Sequence, residues 1–289
     1  MPIDYCKLMN IEIPDVDQRY SERDTIIYAL GVGLGWDPLN EDALAFCYEK
    51  ALKSLPTMPL VLAHPGFWMR DLDTGIDWKS VVHGEQELEL YRPLAPAGRV
   101  LSKSRVADIL DKGVGKGAIV KFERRLYSYT TGELIATMRQ TNFCRADGGF
   151  GGPSGDLPRA TIALPKSVPD RIVDLPTRPE TALLYRLSAD LNPIHVESGI
   201  ARSAGFPRPI LHGLATFGVV GHAILKAICG YANDQLRSMS GRFIKPVFPG
   251  ESIRTEIWVE GNALTFQATA LERNVVVLNG RAAIRGQGE

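Results

Sequence analysis

The chain repeats itself, and that limits its fold more than any other feature. Arg23–Gly31 reads RDTIIYALG and Pro179–Ser188 reads PETALLYRLS, with Asp24/Glu180, Thr25/Thr181, Tyr28/Tyr185 and Leu30/Leu187 in step. Later, Tyr91-Arg-Pro-Leu-Ala-Pro-Ala-Gly98 resembles Ile244-Lys-Pro-Val-Phe-Pro-Gly250. Each places a basic residue, a proline, an apolar residue, then proline and glycine just before a strand-like run. Such self-similarity marks a duplicated unit, whose two copies share one pattern of elements. The length of 289 residues also suits two ordinary domains better than one.

The unit is legible in outline. Ser21 caps a helix to Gly31, with acids Glu22 and Asp24 in its first turn. A second helical run is predicted over Glu41–Leu52, and the proline-rich LPTMPLVLAHPG breaks it. Four strand-like runs follow: Val81–Tyr91, Val100–Leu110, Ala118–Tyr129 and Leu134–Cys144. Turn signals such as Lys112-Gly113 and Thr131-Gly132 separate them. Short connections between consecutive strands imply antiparallel pairing. The second half returns to the same order. A helix over Glu180–Leu187, a polar stretch and a long apolar helix from Pro209 to Gly230 precede strands at Met239–Pro246, Ser252–Val259, Leu264–Leu271 and Val275–Ile284. The fold class is therefore α+β. Residues 1–150 form an N-terminal repeat, 151–171 a Gly/Pro-rich linker and 172–289 a C-terminal repeat.

Where the copies differ is informative. The second carries Ala189-Asp190-Leu-Asn192-Pro-Ile-His195; the first has Val32-Gly33-Leu-Gly35-Trp-Asp37-Pro in its place. Turn residues of a duplicated scaffold are expected in both copies, so an acid and an imidazole confined to one suggest chemistry. A carboxylate beside a histidine that titrates near neutrality can orient it or share a water with it. The alternative is turn chemistry, with Asp190 or Asn192 capping the helix after Pro193 and His195 a satisfied surface histidine. One acid and one histidine do not fill a metal shell, so no metal is expected. Gly213, after His212, opens the apolar helix, where its N–H either meets a developing oxyanion or merely lets the helix pack closely.

Several classes are disfavoured. Formal net charge is zero, which removes the general electrostatic case for nucleic acid. Cys6, Cys47, Cys144 and Cys229 are scattered without CxxC spacing, as free thiols in a reducing compartment would be. Gly31-Val-Gly33-Leu-Gly35 follows a helical run, not a strand, and lacks the spacing of a dinucleotide fingerprint. The 209–230 segment is interrupted by His212, His222, Lys226 and glycines, and reads as a buried core helix, not a membrane span. Without an N-terminal apolar h-region or a C-terminal SKL, the chain is expected in the cytoplasm.

Taken together, YRLSADLNPIH, AGFPRPILHGLATFG, HGEQELELYRPL, DILDKG and RFIKPVFPGE resemble the MaoC-like, or hydratase-2, family of R-specific enoyl-CoA hydratases, especially the hydratase unit of the peroxisomal multifunctional enzyme. The resemblance covers nearly the whole chain. It implies a double hot-dog fold, antiparallel sheet wrapped around long central helices, with the catalytic motif only in the second repeat. It implies hydration of trans-2-enoyl-CoA to (3R)-3-hydroxyacyl-CoA without a cofactor, in a homodimer. By the same resemblance Asp190 and His195 are the catalytic pair, Asn192 supports them and Gly213 serves the thioester oxygen. His83, Gly84, Lys112 and Phe243 fall at substrate-contact positions, Lys112 meeting CoA phosphates, and Glu49 matches a supporting glutamate. Ala189 stands where the family usually has glycine. A hot-dog acyl-CoA thioesterase and a non-catalytic acyl-CoA-binding subunit are the competing readings.

Overall fold

The computed structural model describes residues 2–155, 162–188 and 190–286. The first half contributes β1 (Val16–Tyr20), β2 (Val81–Leu90), β3 (Gly98–Asp111), β4 (Ala118–Ser128) and β5 (Leu134–Cys144). The second contributes β6 (Arg171–Pro176), β7 (Leu236–Phe243), β8 (Ser252–Glu260), β9 (Ala263–Ala270) and β10 (Val275–Ile284). They form one sheet in the order β1-β3-β4-β5-β2-β7-β10-β9-β8-β6. Counted outward from the β2–β7 junction, the two halves run in the same sequence, so the duplication is visible in the topology. The eight predicted strands are present with ends shifted by a few residues. The outermost pair, β1 and β6, went unread because each is short and carries charge, as strands at a sheet edge do.

An approximate two-fold axis passes through the middle. On β2 and β7, Glu85 faces Arg242, Leu88 faces Met239 and Glu89 faces Ser238. The Arg242 guanidinium donates to the Glu85 carboxylate (Nε–Oε1 2.7 Å), tying the halves. Tyr28 and Tyr185, equivalent positions of the repeat, meet with ring centroids 6.0 Å apart. Equivalent residues touch one another only near such an axis.

The repeat fails in its helices. In the second half a helix spans Gly213–Ala227 and is buried throughout Ala215–Leu225. It starts after the predicted Pro209, because the backbone at Leu211 donates instead to Val247 (2.8 Å). In the first half the predicted Glu41–Leu52 helix ends at Leu44. Tight turns follow, and Ala51 takes a positive φ of 58°. The chain then enters the core as an irregular segment, buried from Ser54 to Ala63. Pro56 and Pro59 lack an N–H and exclude a regular helix there. The buried guanidinium of Arg124, from β4, satisfies carbonyls this segment would otherwise leave bare: Pro59 (3.3 Å), Leu60 (2.7 Å) and Leu62. The expectation of a long central helix in each repeat is thus corrected: among the described residues only the second repeat has one. The long helix packs on the first half through glycines, Gly218 against the end of the Glu22–Gly31 helix and Gly221 against the irregular segment. A Cβ on Gly218 would fall 2.6 Å from Val32 Cγ1, and one on Gly221 2.6 Å from Thr57 Cγ2.

Candidate active site

The loop before the long helix is shaped by its own side chains. Asp190 Oδ1 accepts from the Asn192 N–H (2.9 Å), and Asn192 Oδ1 accepts from the Ile194 N–H (3.1 Å). Pro193, with φ preset, opens a single 3₁₀ turn over Pro193–His195. Two successive Asx turns swing His195 inward, where it is 8% exposed. The turn and the candidate site, posed as alternatives from sequence, share the same residues: Asp190 Oδ1 closes the turn and Oδ2 faces His195. His195 is buried, which corrects the surface-histidine reading. Ala189, singled out from the sequence resemblance, lies outside the described residues.

His195 Nδ1 lies 2.8 Å from the Ile210 carbonyl oxygen. A carbonyl only accepts, so Nδ1 carries the hydrogen and Nε2 of the neutral ring presents a lone pair. That Nε2 faces Asp190 Oδ2 at 3.7 Å. Burial pushes the Asp190 carboxyl up. The His195 ring when it carries a proton on Nε2, the Asn192 N–H and His212 outweigh it and bring the pKa down to about 2, so the group is ionised at neutral pH.

Further groups from the substrate-contact set converge here. Gly213 is the first residue of the long helix. A Cβ built on it would sit 3.4 Å from the Phe243 ring at the end of β7. Phe243 in turn meets the edge of His83, on β2, with centroids 4.9 Å apart. His83 and Gly84 sit where β2 shifts register against β5. The first repeat therefore delivers part of the wall around the second repeat's acid and imidazole. Burial lowers the His83 pKa to about 4 even though the Asp190 charge opposes it.

Two side chains that sequence reasoning passed over also belong here. His64, at the end of the irregular segment, is lowered to about 3 by burial and by the Arg124 charge, again against the pull of Asp190. His212 stacks on His195 with centroids 3.6 Å apart and planes at 25°. Its only sequence signal was its place before Gly213. With it, Asp190, His195 and His212 bring potential metal-ligating atoms within 4.8 Å of one another, one ligand more than sequence spacing provided.

Lys112 and Glu49 lie elsewhere. Lys112, at the end of β3, lines an open hollow with the glycine-rich chain at Gly151–Gly155 and donates to the Gly155 carbonyl (3.2 Å). The Asp111 carboxylate holds that chain through the N–H groups of Gly113, Gly149 and Gly151 (2.7–2.8 Å). Glu49 is exposed on a bend after the short helix Glu41–Leu44.

Residues 161–280 match the MaoC-like domain, and residues 18–146 match the N-terminal domain of multifunctional-enzyme-2 hydratase 2. The chain is 38% identical to the peroxisomal enoyl-CoA hydratase 2 of Arabidopsis thaliana over 96% of its own length and 94% of that protein's. The chain belongs to the MaoC-like hydratase-2 family. A crystal structure of a MaoC-like dehydratase from Phytophthora capsici superposes with a TM-score of 0.84 at 31% identity, covering 98% of this chain and 99% of that one. A Mycobacterium tuberculosis protein described as having a double hotdog fold shares the architecture, with a TM-score of 0.57 at 12% identity over 94% of each chain. The hydratase-2 chain is thus an α+β double hot dog, with one long central helix among the described residues. No helix among those residues is long and apolar enough to cross a membrane.

Proposed function

We propose that the protein is a hydro-lyase that reversibly adds water, with syn geometry, to trans-2-enoyl-CoA in fatty acyl-CoA metabolism. The observation that carries this is a carboxylate oxygen and an imidazole lone pair facing each other at 3.7 Å. Two acceptors cannot bond to one another; a molecule that donates two hydrogens satisfies both, and water does so. Held that way, its oxygen lone pair is free for an electrophile. The oxygen attacks the β-carbon as the C=C π pair moves toward the thioester, whose oxygen gains negative charge. The group that took the water's proton returns one to the α-carbon from the same face, which makes the addition syn. The Gly213 N–H, unpaired at the helix N-terminus, stabilises the developing oxyanion. The thioester itself activates the alkene, so no cofactor enters. The (3R) configuration is carried by family membership.

His83, Gly84 and Phe243 would line the acyl-thioester cleft, and Lys112 would meet the CoA phosphates. Asn192 acts through the turn it caps. We give Glu49 no step. The free cysteines fit a reducing compartment. A homodimer rests on the family resemblance, and light scattering tests it.

Loss of the conjugated enoyl absorbance when trans-2-enoyl-CoA meets the protein is the direct assay. No loss across several chain lengths would sink the reading, and release of free thiol instead would make the protein a thioesterase. In Asp190→Asn, turnover falls by about 10³-fold or more while CoA binding stays near wild type, since one of the two facing acceptors is gone. Unchanged turnover in that variant would return the loop to a purely structural role.

A further inference from the structure

His212 occupies the N-cap position of the long helix, yet its side chain makes no cap bond. It is 1% exposed. Its Nε2 reaches back across the loop to the Asp190 backbone carbonyl (3.1 Å). That carbonyl is only an acceptor, so Nε2 carries the ring's hydrogen. Nδ1 is left as a buried lone pair with no donor among the described residues. The ring lies between Tyr185, centroid 5.0 Å away and tilted by 47°, and His195, stacked at 3.6 Å. Burial lowers its pKa to about 4, so it stays neutral and puts no charge against the imidazole it supports.

A shared metal ion accounts for this cluster poorly. An ion bound to an imidazole lies in the ring plane, along the nitrogen lone pair. In two rings stacked with centroids 3.6 Å apart and planes at 25°, the in-plane lone pairs converge poorly on one bonding point. Each ring has one nitrogen bonded to a carbonyl, His195 to Ile210 and His212 to Asp190, which fixes how the ring is turned. The arrangement is that of a support, not a ligand shell.

We propose that His212 is the positioning residue that sets the Asp190 carboxylate, the His195 imidazole and the Gly213 N–H in register. Its decisive hold is the hydrogen bond to the Asp190 carbonyl; it also stacks on His195 and adjoins Gly213 in the chain. The inference rests on the hydration reading, in which a water must fit between two acceptors 3.7 Å apart. In such a site a displacement of about 1 Å costs on the order of 10²-fold in rate. The substrate's remote contacts do not involve His212, so the loss falls on kcat and not on KM.

Two substitutions separate its parts. His212→Phe keeps a flat ring and removes the N–H. His212→Gln places an amide N–H near the position of Nε2 and removes the ring. In H212F, kcat is expected to fall about 10- to 100-fold with KM within about threefold, by the same sensitivity to placement. H212Q is expected to recover most of that kcat. A kcat for H212F within threefold of wild type would overturn the proposal. So would a parallel change in kcat and KM, or an H212Q protein as impaired as H212F. If H212F does not fold, H212Q decides alone: kcat near wild type supports the bond to Asp190, and a loss like that of D190N overturns it. A readout that needs no turnover keeps this distinct from the hydration reading. In crystals of H212F the separation of Asp190 Oδ2 and His195 Nε2 should change by more than about 0.5 Å, the tolerance of such sites, and in H212Q it should not. An unchanged separation in H212F refutes the positioning role whatever the substrate is.

Discussion

At the scale of residues, two hydrogens decide what the site can do. His195 is fixed as the Nδ1–H form by the Ile210 carbonyl, and His212 as the Nε2–H form by the Asp190 carbonyl. Imidazole nitrogen NMR of the resting protein should therefore find the two stacked rings in opposite tautomers. An Nε2–H form for His195 would remove the lone pair that faces Asp190, and the water-holding geometry with it. Gly213 offers a second test. It has no left-handed φ to require glycine, and alanine at a helix start is as good or better. Gly213→Ala should melt at or slightly above the wild-type temperature. Its Cβ, 3.4 Å from Phe243, crowds the thioester's approach to the N–H. We expect kcat/KM to drop roughly 10-fold or more, short of the about 10²–10³-fold cost of removing an oxyanion donor outright, since the N–H remains. A variant with full activity would leave Gly213 as a packing residue only.

At the scale of elements, the long helix of the second repeat and the irregular segment of the first act as one core. Gly221 approaches Thr57 so closely that a methyl would fall 2.6 Å from Thr57 Cγ2. Gly221→Ala should lose about 1–3 kcal/mol by overpacking, read by chemical denaturation. Removing the opposing methyl in G221A/T57A should restore part of it, because contacting residues couple. Simple additivity of the two would place the strain elsewhere. The turns from Ala45 to Leu52, which lead into that segment, were misread as the rest of a helix. Residues Leu44 to Leu52 have helical spacing of apolar positions, but that spacing does not show what lies ahead: two prolines and a buried Arg124 that takes up the carbonyls. Altering the first repeat's interior in this way brings His64 near the Asp190 charge, a placement no local pattern signals.

At the scale of the whole molecule, burial holds most histidines neutral. His64 is lowered to about 3, and His83, His212 and His222 to about 4, against about 6.5 for an exposed imidazole. The unfolded chain takes up protons as pH drops below about 6.5, while the folded chain does not until about 4. Stability is therefore fully present above 6.5 and is lost as pH falls between those values. Asp190 works lower down: its depressed pKa adds stability above about 4 that disappears toward 2. The melting temperature should fall steadily from pH 7 to pH 5. His222, 3% exposed, bonds across the halves to the Val32 carbonyl at 3.3 Å. His222→Gln should flatten the pH dependence by up to about 1.4 kcal/mol per pH unit. An unaltered slope would mean that His222 already titrates as an exposed group does.

The sequence by itself determined the duplication, the antiparallel strands, the buried helix and the acid and imidazole confined to one copy. Each is local: a repeat, a period or a spacing is written in neighbouring residues. The tertiary structure decided what neighbours cannot encode. It joined the two sheets across β2 and β7 and brought Tyr28 onto Tyr185. It carried His83 and His64 from the first repeat to the second repeat's site and laid His212 under His195. Those contacts join positions far apart in the chain, and they exist only once the apolar surfaces of both copies are buried together. The reactive geometry has the same origin. The spacing of Asp190 and His195 promised a pair; it took the Ile210 carbonyl, fixed by the fold 15 residues further on, to turn the imidazole's lone pair toward the carboxylate.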